Sequence, residues 1–65
     1  MPLTPLDRKA ELVRKGLSMS DVARQLGLSA NHVSKVIAGE RRSPRVERAV
    51  ADAIGKPVEK VFAAA

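Results

Sequence analysis

The sequence predicts an all-α fold, a compact bundle of four to five helices. Three observations carry this. Apolar residues recur at helical spacing in four segments. Each of those segments opens on a serine or threonine and closes on a glycine. No stretch alternates apolar and polar residues as a half-buried strand does. Sixty-five residues allow one domain, spanning 1–65, and a chain of that size buries only about 60% of the surface its unfolded form exposes.

The first helix is expected near 5–15. Thr4 caps it, Pro5 fits its first position, and Asp7 stands where a capping box places its acid. Leu6, Ala10, Val13 and Leu17 follow helical spacing and are expected to face inward. Arg8, Lys9, Glu11, Arg14 and Lys15 are then expected to face mostly water, and Gly16 to stop the helix. The second helix is expected near 19–26. Ser18 caps it, with Asp21 reciprocal and Leu17 and Val22 as a hydrophobic staple. Val22, Ala23 and Leu26 make its inner stripe, and Gly27 ends it. The third runs near 30–38 from the cap Ser29. Leu28 and Val33 repeat the staple, Val33, Val36 and Ile37 point inward, and Gly39 closes it.

Arg41, Arg42, Ser43 and Pro44 form a basic connector that contains the next cap. Val46, Ala49, Val50, Ala53 and Ile54 define a fourth amphipathic helix near 44–54, stopped by Gly55. A short helical turn follows at 57–61, and 63–65 are expected to fray. Val58, Val61 and Phe62 supply apolar groups beyond the fourth helix.

Composition narrows the function classes. The chain has no cysteine and one histidine, so disulfides, thiolate sites and a protein-built zinc site are not expected. No apolar run approaches the roughly 18 residues of a membrane span, and the N-terminal residues lack the basic and apolar regions of a signal peptide. The expected location is the cytoplasm, at the nucleoid if the source is prokaryotic. Serine, histidine and aspartate all occur, yet Ser29 and His32 share one exposed helix turn without an acid in view. No enzymatic activity, cofactor, metal or small-molecule ligand is expected.

Charge is unevenly placed. The net charge is +5; residues 24–48 hold six basic groups (Arg24, Lys35, Arg41, Arg42, Arg45, Arg48) against two acidic ones (Glu40, Glu47). From Gln25 to Gly39 there is no carboxylate. A surface that meets phosphate should lack carboxylates, although a solvated basic face would look the same.

The central pair of helices meets further requirements. Two helices that cross steeply about a three- or four-residue turn need a small residue at the crossing and a left-handed backbone in the turn. Ala23 and Gly27 stand at those places. The second helix of such a pair must bury one stripe and bare the other. Val33, Val36 and Ile37 make the stripe, and Ala30, Asn31, His32, Ser34 and Lys35 the bare side. This is the pattern of a helix-turn-helix, whose second helix enters the DNA major groove.

The spacing of Val22, Ala23, Leu26, Gly27, Leu28, Val33 and Val36 resembles the helix-turn-helix of phage repressor and Cro-type proteins. The flanking stretches, Gly16 to Ser29 and Val50 to Phe62, look like the Ner-like (Nlp) branch of small phage-derived regulators. The resemblance covers roughly residues 7–62. It implies a lambda-repressor-like bundle and a sequence-specific regulator of transcription, of phage or prophage repressor type. One departure stands out: that branch often ends in a Trp- or Tyr-containing tail, and this chain ends Phe62, Ala63, Ala64, Ala65.

On that reading, Ala30, Asn31 and Lys35 are the candidates for base contact. Asn31 can pair with adenine, Lys35 with guanine, and Ala30 can touch a thymine methyl. His32 and Ser34 are candidates for base or phosphate. Ser18, Met19, Ser29, Arg41, Arg42 and Arg45 are candidates for phosphate, the arginines as a clamp. Each also has a reading that asks nothing of bases: Asn31 as a solvated polar group, Lys35 as a phosphate contact, the serines as caps alone, the arginines as a solubilising connector. The expected partner is double-stranded DNA, bound by a homodimer through Val58, Val61 and Phe62. The alternative is a protein-interaction module of antitoxin or adaptor type on the same fold. Its partner site would also fall on those three residues.

Overall fold

The computed structural model describes residues 2–62. The expectation of fraying at 63–65 lies outside the described residues. Five helices follow one another: α1 (Pro5–Arg14), α2 (Met19–Leu26), α3 (Ala30–Ile37), α4 (Pro44–Ile54) and α5 (Val58–Val61). The described residues contain no strand. The five expected segments are therefore all present, with ends shifted by at most one residue.

Local chemistry explains the agreement. The side chains of Thr4, Ser18, Ser29 and Ser43 accept hydrogen bonds from Asp7, Asp21, His32 and Val46 backbone N–H groups, and the first two complete capping boxes. The four longer helices also end alike. Gly16, Gly27, Gly39 and Gly55 all have positive φ. In each case the N–H of the following residue reaches back five residues: Leu17 to Leu12, Leu28 to Ala23, Glu40 to Lys35, Lys56 to Ala51. Such bonds satisfy helix carbonyls that would otherwise lack partners.

The core joins Leu12 of α1, Val22 and Ala23 of α2, Val33, Val36 and Ile37 of α3, Val46, Val50, Ala51 and Ile54 of α4, and Val61 and Phe62. Each fully buried aliphatic side chain contributes about 1.5–3 kcal/mol relative to exposure. Ala23 lies where α2 and α3 pack and is almost wholly buried, as the small residue at the crossing should be. Ala51 is also interior, while Ala49 and Ala53 are only half-buried.

Two expectations fail, and one residue explains both. The inner face of α1 is Arg8 and Leu12, not the stripe at 6, 10 and 13. Leu6 is 76% and Val13 71% exposed, Ala10 is exposed, and only Leu17 of the expected stripe packs against the core. Arg8, expected in water, is 7% exposed. Its guanidinium donates from Nε to the Val61 carbonyl at 2.8 Å and from Nη1 to the Ile37 carbonyl at 2.6 Å. It also lies 4.3 Å from the centre of the Phe62 ring. Burial pulls the Arg8 pKa below its ordinary value, and the Glu47 carboxylate opposes that effect.

The second correction concerns the chain beyond α4. Val61 and Phe62, expected at a dimer or partner surface, are interior, and Val58 is half-buried against the core. They complete the protomer's own core, drawn in by Arg8 from one side and by the bond from the Leu3 N–H to the Lys60 carbonyl, 3.1 Å, from the other.

The Arg8→Ala variant leaves two buried carbonyls unpaired and strips a cation from the Phe62 face. A loss of about 3 kcal/mol is expected, read from the urea midpoint. The Arg8→Lys variant keeps the charge but not the fork, and should recover only part of that loss.

Candidate nucleic-acid interface

The pair α2–α3 is held as one unit from both sides of its turn. Gly27 takes φ +70°, and a Cβ built there would meet nothing within 4 Å. The need for glycine is thus conformational rather than steric. Across the turn, Arg45 of α4 donates from Nη2 to the Leu26 carbonyl at 3.0 Å. A cation at the C-terminal end of α2 also suits the helix dipole.

Burial of Val33, Val36 and Ile37 fixes the rotation of α3 about its axis. At about 100° per residue, this turns Asn31 and Lys35 to the opposite face, with Ser34 on one flank and Ala30 nearer the edge of the buried stripe. Ala30, Asn31 and Lys35 are exposed and Ser34 is half-buried. Asn31 and Lys35 are four residues apart and so stand one above the other along the helix. His32 lies on the flank of this face and is half-buried. Its Nδ1 is 3.4 Å from Nη1 of Arg41, so the connector after α3 folds back toward the helix start. When the neutral ring accepts that bond, its Nε2–H is left as the donor.

The two helix starts differ electrostatically. At α2 the Asp21 carboxylate accepts from the Ser18 N–H at 2.8 Å and from the Ser18 hydroxyl at 3.1 Å. The N-terminal end of α2 therefore already holds an anion, and a phosphate at Ser18 has to compete with it. Met19 is half-buried and packs against the core. At α3 the first turn has no acid, and Ser29 accepts from the His32 N–H at 3.1 Å. The positive end of the α3 dipole is offset by no carboxylate of its own turn, which suits an incoming phosphate.

The three arginines expected as a clamp each have a partner in the protein. Arg41 reaches His32, Arg45 the Leu26 carbonyl, and Arg42 forms an ion pair from Nε to Glu47 Oε2 at 3.1 Å. Glu47 is buried and also accepts from the Ser43 N–H at 3.3 Å, so it stitches the connector to α4. Arg41, Arg42 and Arg45 remain exposed over part of their length. Sequence reasoning passed over Arg48. It joins Arg42, Pro44, Arg45, Glu47 and Val58 around an open groove of about 580 Å³. The signal available was its place three residues after Arg45, on the same side of α4.

A packed helix pair with a small crossing residue, a left-handed glycine turn and a bare, acid-free second helix defines a helix-turn-helix DNA-binding protein. The chain belongs to the winged helix-turn-helix DNA-binding family, which it matches over residues 3–64. No curated protein and no solved structure matches it. The described residues carry no strand, and so no β-wing; after α3 the chain passes through the basic connector into α4. No group of metal-ligating side chains occurs among the described residues, and none of their helices is long and apolar enough to cross a membrane.

The Ser18 backbone N–H, then its hydroxyl, hold the Asp21 carboxyl below its usual range; slight burial opposes this and Arg24 adds to it. A depressed folded-state pKa gives stability that is present above the unfolded value of roughly 3.9 and is lost as pH falls through the folded value. The stability gap between the wild type and Asp21→Asn should therefore be constant near neutral pH and narrow below about pH 4. Urea titrations at a series of pH values measure it.

Proposed function

We propose that the protein is a sequence-specific regulator of transcription that reads the major groove of double-stranded DNA with α3. The observation that carries the reading is the division of α3 itself: its apolar residues are locked in the core, and its opposite face is bare and free of carboxylates. Asn31 and Lys35 are assigned to base edges, with Ala30 against a thymine methyl and His32 and Ser34 at base or phosphate. Ser29 and the start of α3 are assigned to phosphate, with Ser18 and Met19 at the groove edge. Arg41, Arg42 and Arg45 form the basic flank, where contacts set register rather than sequence.

The resemblance to the phage repressor and Ner-like proteins supports a repressor of phage or prophage type, acting in the cytoplasm without enzymatic activity. The described body measures 28 × 24 × 17 Å. That is less than the roughly 34 Å between successive half-sites on one face of B-DNA, so one copy serves one half-site and a homodimer serves a two-fold operator.

Selection from random duplex DNA at physiological salt is expected to enrich a two-fold site. With about 6–8 phosphate contacts over two copies, log K against log salt should slope by roughly −5 to −7. A flat slope refutes the DNA reading. In Asn31→Ala combined with Lys35→Ala, preference for the enriched site over scrambled DNA should fall by about 10-fold or more, while non-specific binding changes little. Unchanged preference removes α3 as the reader.

A further inference from the structure

The outer face of α1 is the largest apolar feature the core does not use. Leu6, Ala10 and Val13 stand at i, i+4 and i+7, directly opposite the buried Arg8–Leu12 face. Leu6 and Val13 are the only large apolar side chains of the described residues that are strongly exposed. Beside Val13 is an open apolar groove of about 190 Å³, lined by Lys9, Leu12, Val13, Leu17, Ser18 and Met19. The projecting Leu6 and this groove lie roughly 10 Å apart along the axis, the groove set toward the Lys9 flank of the stripe, between α1 and the start of α2.

We propose that this face is a self-association surface, on which α1 of a second copy packs antiparallel about a two-fold axis through Ala10. Three features favour a second copy over another partner. The knob and the groove are related as a two-fold contact requires: each Leu6 reaches Val13 and the groove of the other copy, and the contact closes on itself. Ala10 at the axis lets the two helices approach closely. The charges also match. Asp7 and Arg14 lie on the same flank of the stripe, three residues before and four after the axis, so each Asp7 meets the other copy's Arg14. Within one copy Arg14 has only a loose 3.7 Å contact with Glu11 and is 76% exposed. On the opposite flank Lys9 faces Lys9 of the second copy, and this repulsion limits affinity.

One ten-residue helix stripe covers less than the ~1,200 Å² of a stable interface. The dimer is therefore weak, with a Kd on the order of 100 µM. It becomes populated when DNA holds two copies together. The inference supplies the two-copy reading above with a surface. Its test uses no DNA, so the two stand or fall separately.

Sedimentation equilibrium of the full chain from about 10 µM to about 1 mM, with NMR of the same samples, measures it. The expected result is a mass rising toward twice the monomer, with concentration-dependent amide shifts centred on α1. Leu6→Glu and Val13→Lys each place a charge in the contact at an exposed site. Each alone should weaken association about 10-fold or more and leave the thermal midpoint near the wild-type value. Their equimolar mixture should associate again, because only the antiparallel arrangement sets one substituted position against the other. A wild type that stays monomeric to about 1 mM overturns the proposal. So does Val13→Lys associating as the wild type does, or a mixture no stronger than its components.

Discussion

Arg8 carries a positive charge into the interior where α1, the end of α3 and the end of α5 meet. A buried guanidinium is costly unless its N–H groups find acceptors. Here the acceptors are the carbonyls of Ile37 and Val61, and Phe62 covers its face. The Ile37 carbonyl lies at the C-terminal end of α3, where helix carbonyls lack partners within the helix and a cation suits the dipole. The contact therefore fixes more than stability. It sets the rotation of α1, brings Val61 and Phe62 inside, and anchors the C-terminal end of α3, the helix whose other end carries the acid-free first turn.

The near end of that helix is held by different means. Gly27 makes the turn, the Leu28 N–H closes α2 onto Ala23, and Arg45 ties the Leu26 carbonyl to α4. Held at both ends and along its apolar side, α3 presents Asn31 and Lys35 with little freedom of axis or rotation. Preorganisation of this kind lowers the entropy lost on binding. The arginines beside it share their charge with structural duties. Arg42 pairs with Glu47, Arg45 caps α2, and Arg41 leans on His32. Their guanidinium groups are thus held in place by contacts within the protein.

The consequence for α1 follows from the same contact. A helix whose inner face is an arginine and a leucine has its remaining apolar residues on the outside. Leu6 and Val13 are the strongly exposed large apolar side chains of the described residues, and an open groove adjoins Val13. Arg8 inside and Leu6 outside are two sides of one rotation of one helix.

The helices themselves were legible in the sequence because their starts and stops are local chemistry. Thr4, Ser18, Ser29 and Ser43 reach backbone groups three residues away, and the glycines take positive φ within one turn. The inner stripes of α2, α3 and most of α4 were legible too, since their apolar residues leave one choice of face. The bare side of α3 followed from its stripe. What the sequence reading got wrong was α1: its apolar spacing pointed Leu6, Ala10 and Val13 inward, whereas the buried face is Arg8 and Leu12, because in local spacing an arginine reads as solvated. The fate of Val61 and Phe62 was hidden for the same reason: both depend on carbonyls and a guanidinium 29 and 53 residues apart in the chain. The sequence by itself therefore determined the elements, the turn of the helix pair and the acid-free helix. Only the tertiary structure decided which face of α1 turns inward and which arginines are tied, because long-range hydrogen bonds to backbone carbonyls leave no mark in local periodicity.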